Sequence, residues 1–129
     1  MGPPKTLDAT DFINRRFNLP KYVLIESRDP FEYGDARYLY DMARGLAEKD
    51  NDVTVFLIQN GVMTTRPGVK DNSLPGVARH LPAIKVPADD FSLRERGISL
   101  STLEQGVEVS DIDYLVDLLV QEDAKIVWY

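Results

Sequence analysis

The chain contains no cysteine. That single absence excludes disulfides, thiolate zinc sites, iron–sulfur ligation and every cysteine nucleophile. There is one histidine, His80, in the stretch Arg79-His80-Leu81-Pro82. A lone imidazole in a loop cannot make a multi-histidine metal site and leaves no Ser/His/Asp triad to assemble. Positive charge is also short, 15 Lys and Arg against 21 Asp and Glu, and the resulting net charge of −6 argues against nucleic acid as a partner. No apolar run approaches the length of a membrane span. Met1-Gly2-Pro3-Pro4 lacks the basic start and apolar core of a signal peptide, so a cytoplasmic protein with no membrane association is expected. Nucleotide signatures are missing too. No Gly-x-Gly-x-x-Gly follows the first apolar run, no P-loop lysine motif occurs, and the turn from Ser27 to Gly34 lacks the small-residue run that would cradle a flavin phosphate. No cofactor and no metal are assigned on these grounds.

What is present is an alternation of apolar runs and amphipathic stretches. Residues 1–20 form an extension, with a little apolar surface in Asp8-Ala9-Thr10-Asp11-Phe12-Ile13, that could reach a neighbouring subunit; residues 21–129 form one domain. Tyr22-Val23-Leu24-Ile25-Glu26-Ser27 and Val53-Thr54-Val55-Phe56-Leu57-Ile58 are near-continuous β-branched or apolar runs, as buried parallel strands require. Between them Ala36, Leu39, Met42, Ala43, Leu46 and Ala47 recur at helical spacing, and Lys49-Asp50-Asn51-Asp52 ends that helix. Residues 64–76 are rich in turn formers and read as a loop, with a possible single helical turn at Val77-Ala78-Arg79-His80-Leu81. Ala83-Ile84-Lys85-Val86 reads as a third strand closed by Pro87, and Val107-Glu108-Val109 as a short fourth. Ser110-Asp111-Ile112-Asp113 looks like a capping box with Ser110 first, opening a helix that buries Ile112, Leu115, Val116, Leu119 and Val120. Lys125-Ile126-Val127-Trp128-Tyr129 is the last strand. The order β-α-β, loop, β-α, β-α-β predicts an α/β three-layer sandwich on a mainly parallel sheet of about five strands.

The third strand leads into Ala88-Asp89-Asp90-Phe91-Ser92-Leu93-Arg94-Glu95-Arg96-Gly97-Ile98. Ligands of open α/β sheets gather where strand carboxyl ends meet the next helix, so this turn is the expected wall of any pocket. Asp89 and Asp90 have a plain use as helix caps, accepting orphan backbone N–H groups. Their sharper use is as an acid/base pair or a metal ligand, since adjacent carboxylates raise one another's pKa. The candidate ligand-binding residues are Ser27, Asp29, Tyr33, Asn60, Asp89, Asp90 and Phe91, with Asp89 and Asp90 the only catalytic candidates.

These residues, with Val23-Leu24-Ile25, Ala43-Arg44-Gly45-Leu46-Ala47, the run from Val53 to Val62 and the Arg96-Gly97-Ile98 stop, resemble the DsrE/DsrF-like family of small sulfur-relay proteins, including its YchN-like members. The likeness extends from about Lys21 to Tyr129. It implies the DsrE/DsrF-like version of the fold and a homo-oligomer, trimer or hexamer, or a hetero-oligomer with a cysteine-bearing paralogue. In sulfur-relay members a cysteine near the end of the third strand carries a persulfide, and the matching position here is Asp89 or Asp90. A carboxylate cannot hold a sulfane sulfur. The expectation is therefore a non-catalytic DsrE-like subunit, or a small-ligand or partner-binding protein of sulfur metabolism. The alternative is a small enzyme using the Asp89/Asp90 pair as acid/base or metal ligand, with Glu26, Asp29 or Tyr33 from the first turn. A third reading is a structural oligomer with Phe31, Tyr33, Trp128 and Tyr129 at the interface.

Overall fold

Alternation along the first strand, β1 (Lys21–Glu26), sets the layering of the molecule. Leu24 turns to one face of the sheet, while Val23 and Ile25 turn to the other, the period-two geometry of a pleated strand. The computed structural model describes residues 20–29, 31–32, 36–69, 72–74, 76–77 and 84–128. Residues 1–19, Tyr33, Tyr129 and the possible turn from Ala78 to Leu81 lie outside them.

β1 is followed by helix α1 (Ala36–Glu48), strand β2 (Asp52–Leu57), a 3-10 turn (Gln59–Thr65) and strand β3 (Ile84–Asp89). Helix α2 (Asp90–Glu95), strand β4 (Val107–Ser110), helix α3 (Ile112–Leu119) and strand β5 (Ala124–Trp128) complete the order. The strands form one five-stranded sheet in the order β4-β3-β2-β1-β5, every pair parallel. This is the three-layer α/β architecture. Leu39, Tyr40 and Ala43 of α1 pack with Leu24, Val53, Val55, Leu57, Val86 and Ala88, and Leu93 of α2 joins the same core. Leu115 and Leu118 of α3 pack with Val23, Ile25 and Phe56 on the opposite face. There the Phe56 and Tyr114 rings stack with centroids 6.5 Å apart.

Helix α1 stops where its composition stops it. Asp50 adopts a left-handed φ of 65°, which short polar side chains tolerate. Asn51 then donates from Nδ2 to the Leu46 carbonyl at 2.9 Å.

Four expectations change. Pro87 does not close β3, which runs on to Asp89. Pairing with β2 goes from Thr54↔Lys85 to Leu57↔Ala88, and β4 pairs through Pro87. The gap in the β2 ladder thus falls beside the one residue that has no N–H to donate. A 3-10 turn, Gln59–Thr65, follows β2 where no element is expected, and it takes in the first two residues of the 64–76 loop. The cap of α3 is Asp111, whose Oδ1 accepts from Tyr114 N at 2.9 Å, while Ser110 is the last residue of β4. Finally, α3 buries Leu115 and Leu118 and leaves Ile112, Val116 and Val120 exposed. Its apolar residues cover more than one stripe, and only docking decides which stripe meets the sheet.

Tyr40 is wholly buried, with its hydroxyl 3.5 Å from Thr64 Oγ1. Burial pushes its phenol well above its ordinary value of 10.0, the Thr64 bond pulls back, and the charge of Glu26 adds to the rise. The folded state therefore holds this proton to higher pH than the unfolded chain does. Tyr40's contribution is intact below about pH 10 and is lost as pH climbs beyond it, because the unfolded tyrosine ionises first. Urea midpoints taken across the alkaline range should fall less steeply in Tyr40→Phe than in the parent; equal slopes would contradict this.

Candidate functional site

The chain leaves β3 and β4, which are neighbours, toward opposite faces of the sheet. α2 sends Leu93 into the α1-side core, whereas α3 packs on the other face. Adjacent strands with such divergent exits define a topological switch point, where a crevice opens at the carboxyl ends. A cleft of about 460 Å³ opens there. The chain leaving β2 supplies Ile58 and Gln59, the β3–α2 turn supplies Asp89, Asp90, Phe91 and Ser92, and the start of α3 supplies Asp111 and Ile112. Glu95 and Arg96 close the remaining side.

Asp89 is 5% exposed and caps α2. Its Oδ2 accepts from Ser92 N at 2.9 Å and from Ser92 Oγ at 2.6 Å. Ser92 Oγ in turn accepts from the backbone N–H of Gln59 at 2.8 Å. This relay ties the end of β3 to the exit of β2, and it holds Gln59 at a left-handed φ of 53°. A non-glycine residue in that region costs of order 1–3 kcal/mol and persists only where its surroundings impose it. Arg96 adds a second tie, donating from Nε to Asn60 Oδ1 at 3.0 Å and from Nη1 to Ser92 O at 3.1 Å. Just behind, Glu26 is buried at the end of β1, and its Oε1 accepts from Arg28 N at 2.8 Å.

Asp90 faces a different direction from Asp89. Its Oδ1 accepts from Phe91 N at 2.7 Å, and its Oδ2 lies 3.8 Å from Arg94 Nη1. The two carboxylates are thus engaged separately and do not converge on one point. Among the described residues, no three His, Asp or Glu side chains are grouped to hold a metal ion. Asp89→Ala should cost about 1–3 kcal/mol, the loss of a buried cap plus the orphaning of Ser92. Asp90→Ala should change stability by about 0.5 kcal/mol or less, because its ion pair is exposed. Denaturant midpoints of the two variants check this, and equal losses would contradict the division of labour.

Of the residues singled out from the sequence, Asp89, Asp90 and Phe91 line the cleft, and Asn60 stands behind its wall through Arg96. Ser27 and Asp29 do not line it. Ser27 accepts from Trp128 Nε1 at 3.3 Å, and Asp29 closes its own turn by accepting from Phe31 N. Tyr33 lies outside the described residues. Gln59, Ser92, Arg96, Asp111 and Ile112 were not picked out. Ser92 carried a local signal, three residues after a helix-opening Asp, but the left-handed turn at Gln59 had none.

A family model described as the DsrE/DsrF-like family matches residues 20–128. The chain belongs to that family. Among solved structures it is similar to the ychN protein from E. coli, with a TM-score of 0.73 and 20% identity over 86% of this chain and 100% of that one. It is also similar to MTH1491 from Methanobacterium thermoautotrophicum, described as a protein of unknown function, with a TM-score of 0.69 and 20% identity over 85% and 99% of the two chains. At this identity the likeness speaks for the fold alone. A comparison with curated proteins returned no match. Family membership suggests a role related to sulfur metabolism, for a chain that has no cysteine. No helix among the described residues is long and apolar enough to cross a membrane.

Proposed function

We propose that this chain is a non-catalytic DsrE-like protein of the cytoplasm, whose cleft at the ends of β2, β3 and β4 binds a small ligand or a protein partner in sulfur metabolism. It carries no persulfide itself. It works as a homo-oligomer, trimer or hexamer, or beside a cysteine-bearing paralogue. The observation that carries this reading is the state of Asp89. At the position where the resemblance implies a sulfur-carrying cysteine, the side chain is buried and committed to capping α2.

The apolar surfaces of Ile58, Phe91 and Ile112, with the amide of Gln59 beside them, suit recognition of a small organic group by contact and one or two hydrogen bonds. Native mass spectrometry of the purified protein tests the proposal. A whole-number multiple of the chain mass with reproducible extra mass, lost in Phe91→Ala or Gln59→Ala, is the expected result. Turnover of a defined substrate that is abolished by Asp90→Asn would instead establish an enzyme and sink the non-catalytic reading.

A further inference from the structure

The cleft carries charge of mostly one sign. Among the described residues four acids line it, Asp89, Asp90, Glu95 and Asp111, against one base, Arg96. Arg96 is already engaged, with Nε on Asn60 Oδ1 and Nη1 on Ser92 O. The two helix starts that open here are engaged as well. Asp89 accepts from Ser92 N, Asp90 from Phe91 N and Asp111 from Tyr114 N. Helix N-termini otherwise attract anions, but these N–H groups are taken by carboxylates that would repel one.

Asp89 itself points to the complementary charge. It is 5% exposed, and both of its bonds to Ser92 fall on Oδ2. Among the described residues its Oδ1 accepts no hydrogen bond, yet that atom is not sealed away from the cleft that Asp89 lines. A carboxylate oxygen so deeply placed is costly without a donor, and the side that can supply one is the cleft. Asp111 leaves the sheet close by, because β3 and β4 pair through Asp89↔Ser110. A metal ion suits the place poorly, since oxygen-bound cations need several converging ligands and no such group occurs among the described residues. The other walls are apolar and open, with Phe91 66% and Ile112 50% exposed. An aromatic ring beside carboxylates favours an organic cation on an apolar body.

We propose that the cleft receives a primary ammonium group carried on a small apolar body. Asp89 Oδ1 accepts from the ammonium, while Phe91 and Ile112 contact the body. This rests on the reading of the cleft as a ligand site and narrows it to one chemical class.

Three probes of similar shape and different charge test it by amide NMR titration of the full chain at neutral pH: phenethylamine, phenethyl alcohol and hydrocinnamate. Phenethylamine should shift the amides of Gln59, Phe91 and Ile112, bind about tenfold more tightly than the alcohol, and weaken as salt is raised. Asp89→Asn keeps an oxygen for the cap and should bring the amine down to the affinity of the alcohol. Equal binding of amine and alcohol at these amides would overturn the ammonium class while leaving the cleft a ligand site. Tightest binding of hydrocinnamate would overturn it in favour of an anion held by Arg96. Amine shifts scattered over the surface would show general attraction to a chain of net charge −6 and overturn it equally. Unchanged amine affinity in Asp89→Asn would remove Asp89 as the acceptor. No shift at the cleft with any of the three would overturn both this proposal and the small-ligand reading beneath it.

Discussion

Gly61→Ala is expected to destabilise the protein by about 3 kcal/mol or more, although it adds a single methyl group. Gly61 lies in the 3-10 turn directly over the end of β1, where a Cβ would land on the carbonyl oxygen of Glu26 and within 2.8 Å of its carbonyl carbon. These are backbone atoms and cannot swing aside. That carbonyl is already held, because it accepts from Ile58 N at 3.0 Å, and Gly61 N donates to Ile58 O at 3.0 Å. Relief would have to separate the ends of β1 and β2, which pair through Glu26↔Leu57. Urea unfolding monitored by circular dichroism measures the loss as a lower midpoint. A midpoint within about 0.5 kcal/mol of the parent would show that the turn can lift away from the strand. Because the turn begins with Gln59, such a lift would also disturb the cleft.

Phe56→Ala should cost a comparable amount, about 3–5 kcal/mol, for the opposite reason. Here a void is made. Phe56 is fully buried and is the largest member of the smaller core, among Val23, Ile25, Leu115 and Leu118. It is also the residue against which Tyr114 stacks. With few neighbours to collapse into the space, α3 loses most of its seat on the sheet. Phe56→Leu should recover much of the deficit, since a branched aliphatic side chain refills part of the volume. If both variants lost the same amount, aromatic geometry rather than volume would be the operative quantity.

The parts of this molecule that were legible in its sequence are those fixed by near neighbours along the chain. β1 and β2 announce themselves because a strand buried on both faces needs an unbroken apolar run. α1 does so because its stripe is narrow and its end is marked by polar residues. Asp89 as a cap is equally local, with donor and acceptor three residues apart. Where distant segments decide, the pattern falls silent. The bond from Gln59 N to Ser92 Oγ joins residues 33 apart, and nothing near Gln59 foretells its left-handed turn. α3 departs from the expected inward face for a related reason. Apolar residues at 112, 115, 116, 118, 119 and 120 wrap well round the helix, so periodicity alone admits more than one inward face. β1, β2 and the β5 residue Ala124 choose Leu115 and Leu118, and the rejected stripe is the one left facing water.

The place of β5 in the sheet has a kinetic consequence. Strands β1 to β4 are laid down in chain order, each beside its predecessor, but β5 must return past three of them to pair with β1, joining Lys21 to Ala124. Contacts between such remote segments form late, because the loop between them must be closed before any pairing repays its entropy. The chain's one tryptophan sits on that strand. Its fluorescence during refolding should therefore trail the recovery of helical ellipticity, clocking the arrival of the last strand. In the native protein the same strand should be among the first to exchange its amide hydrogens.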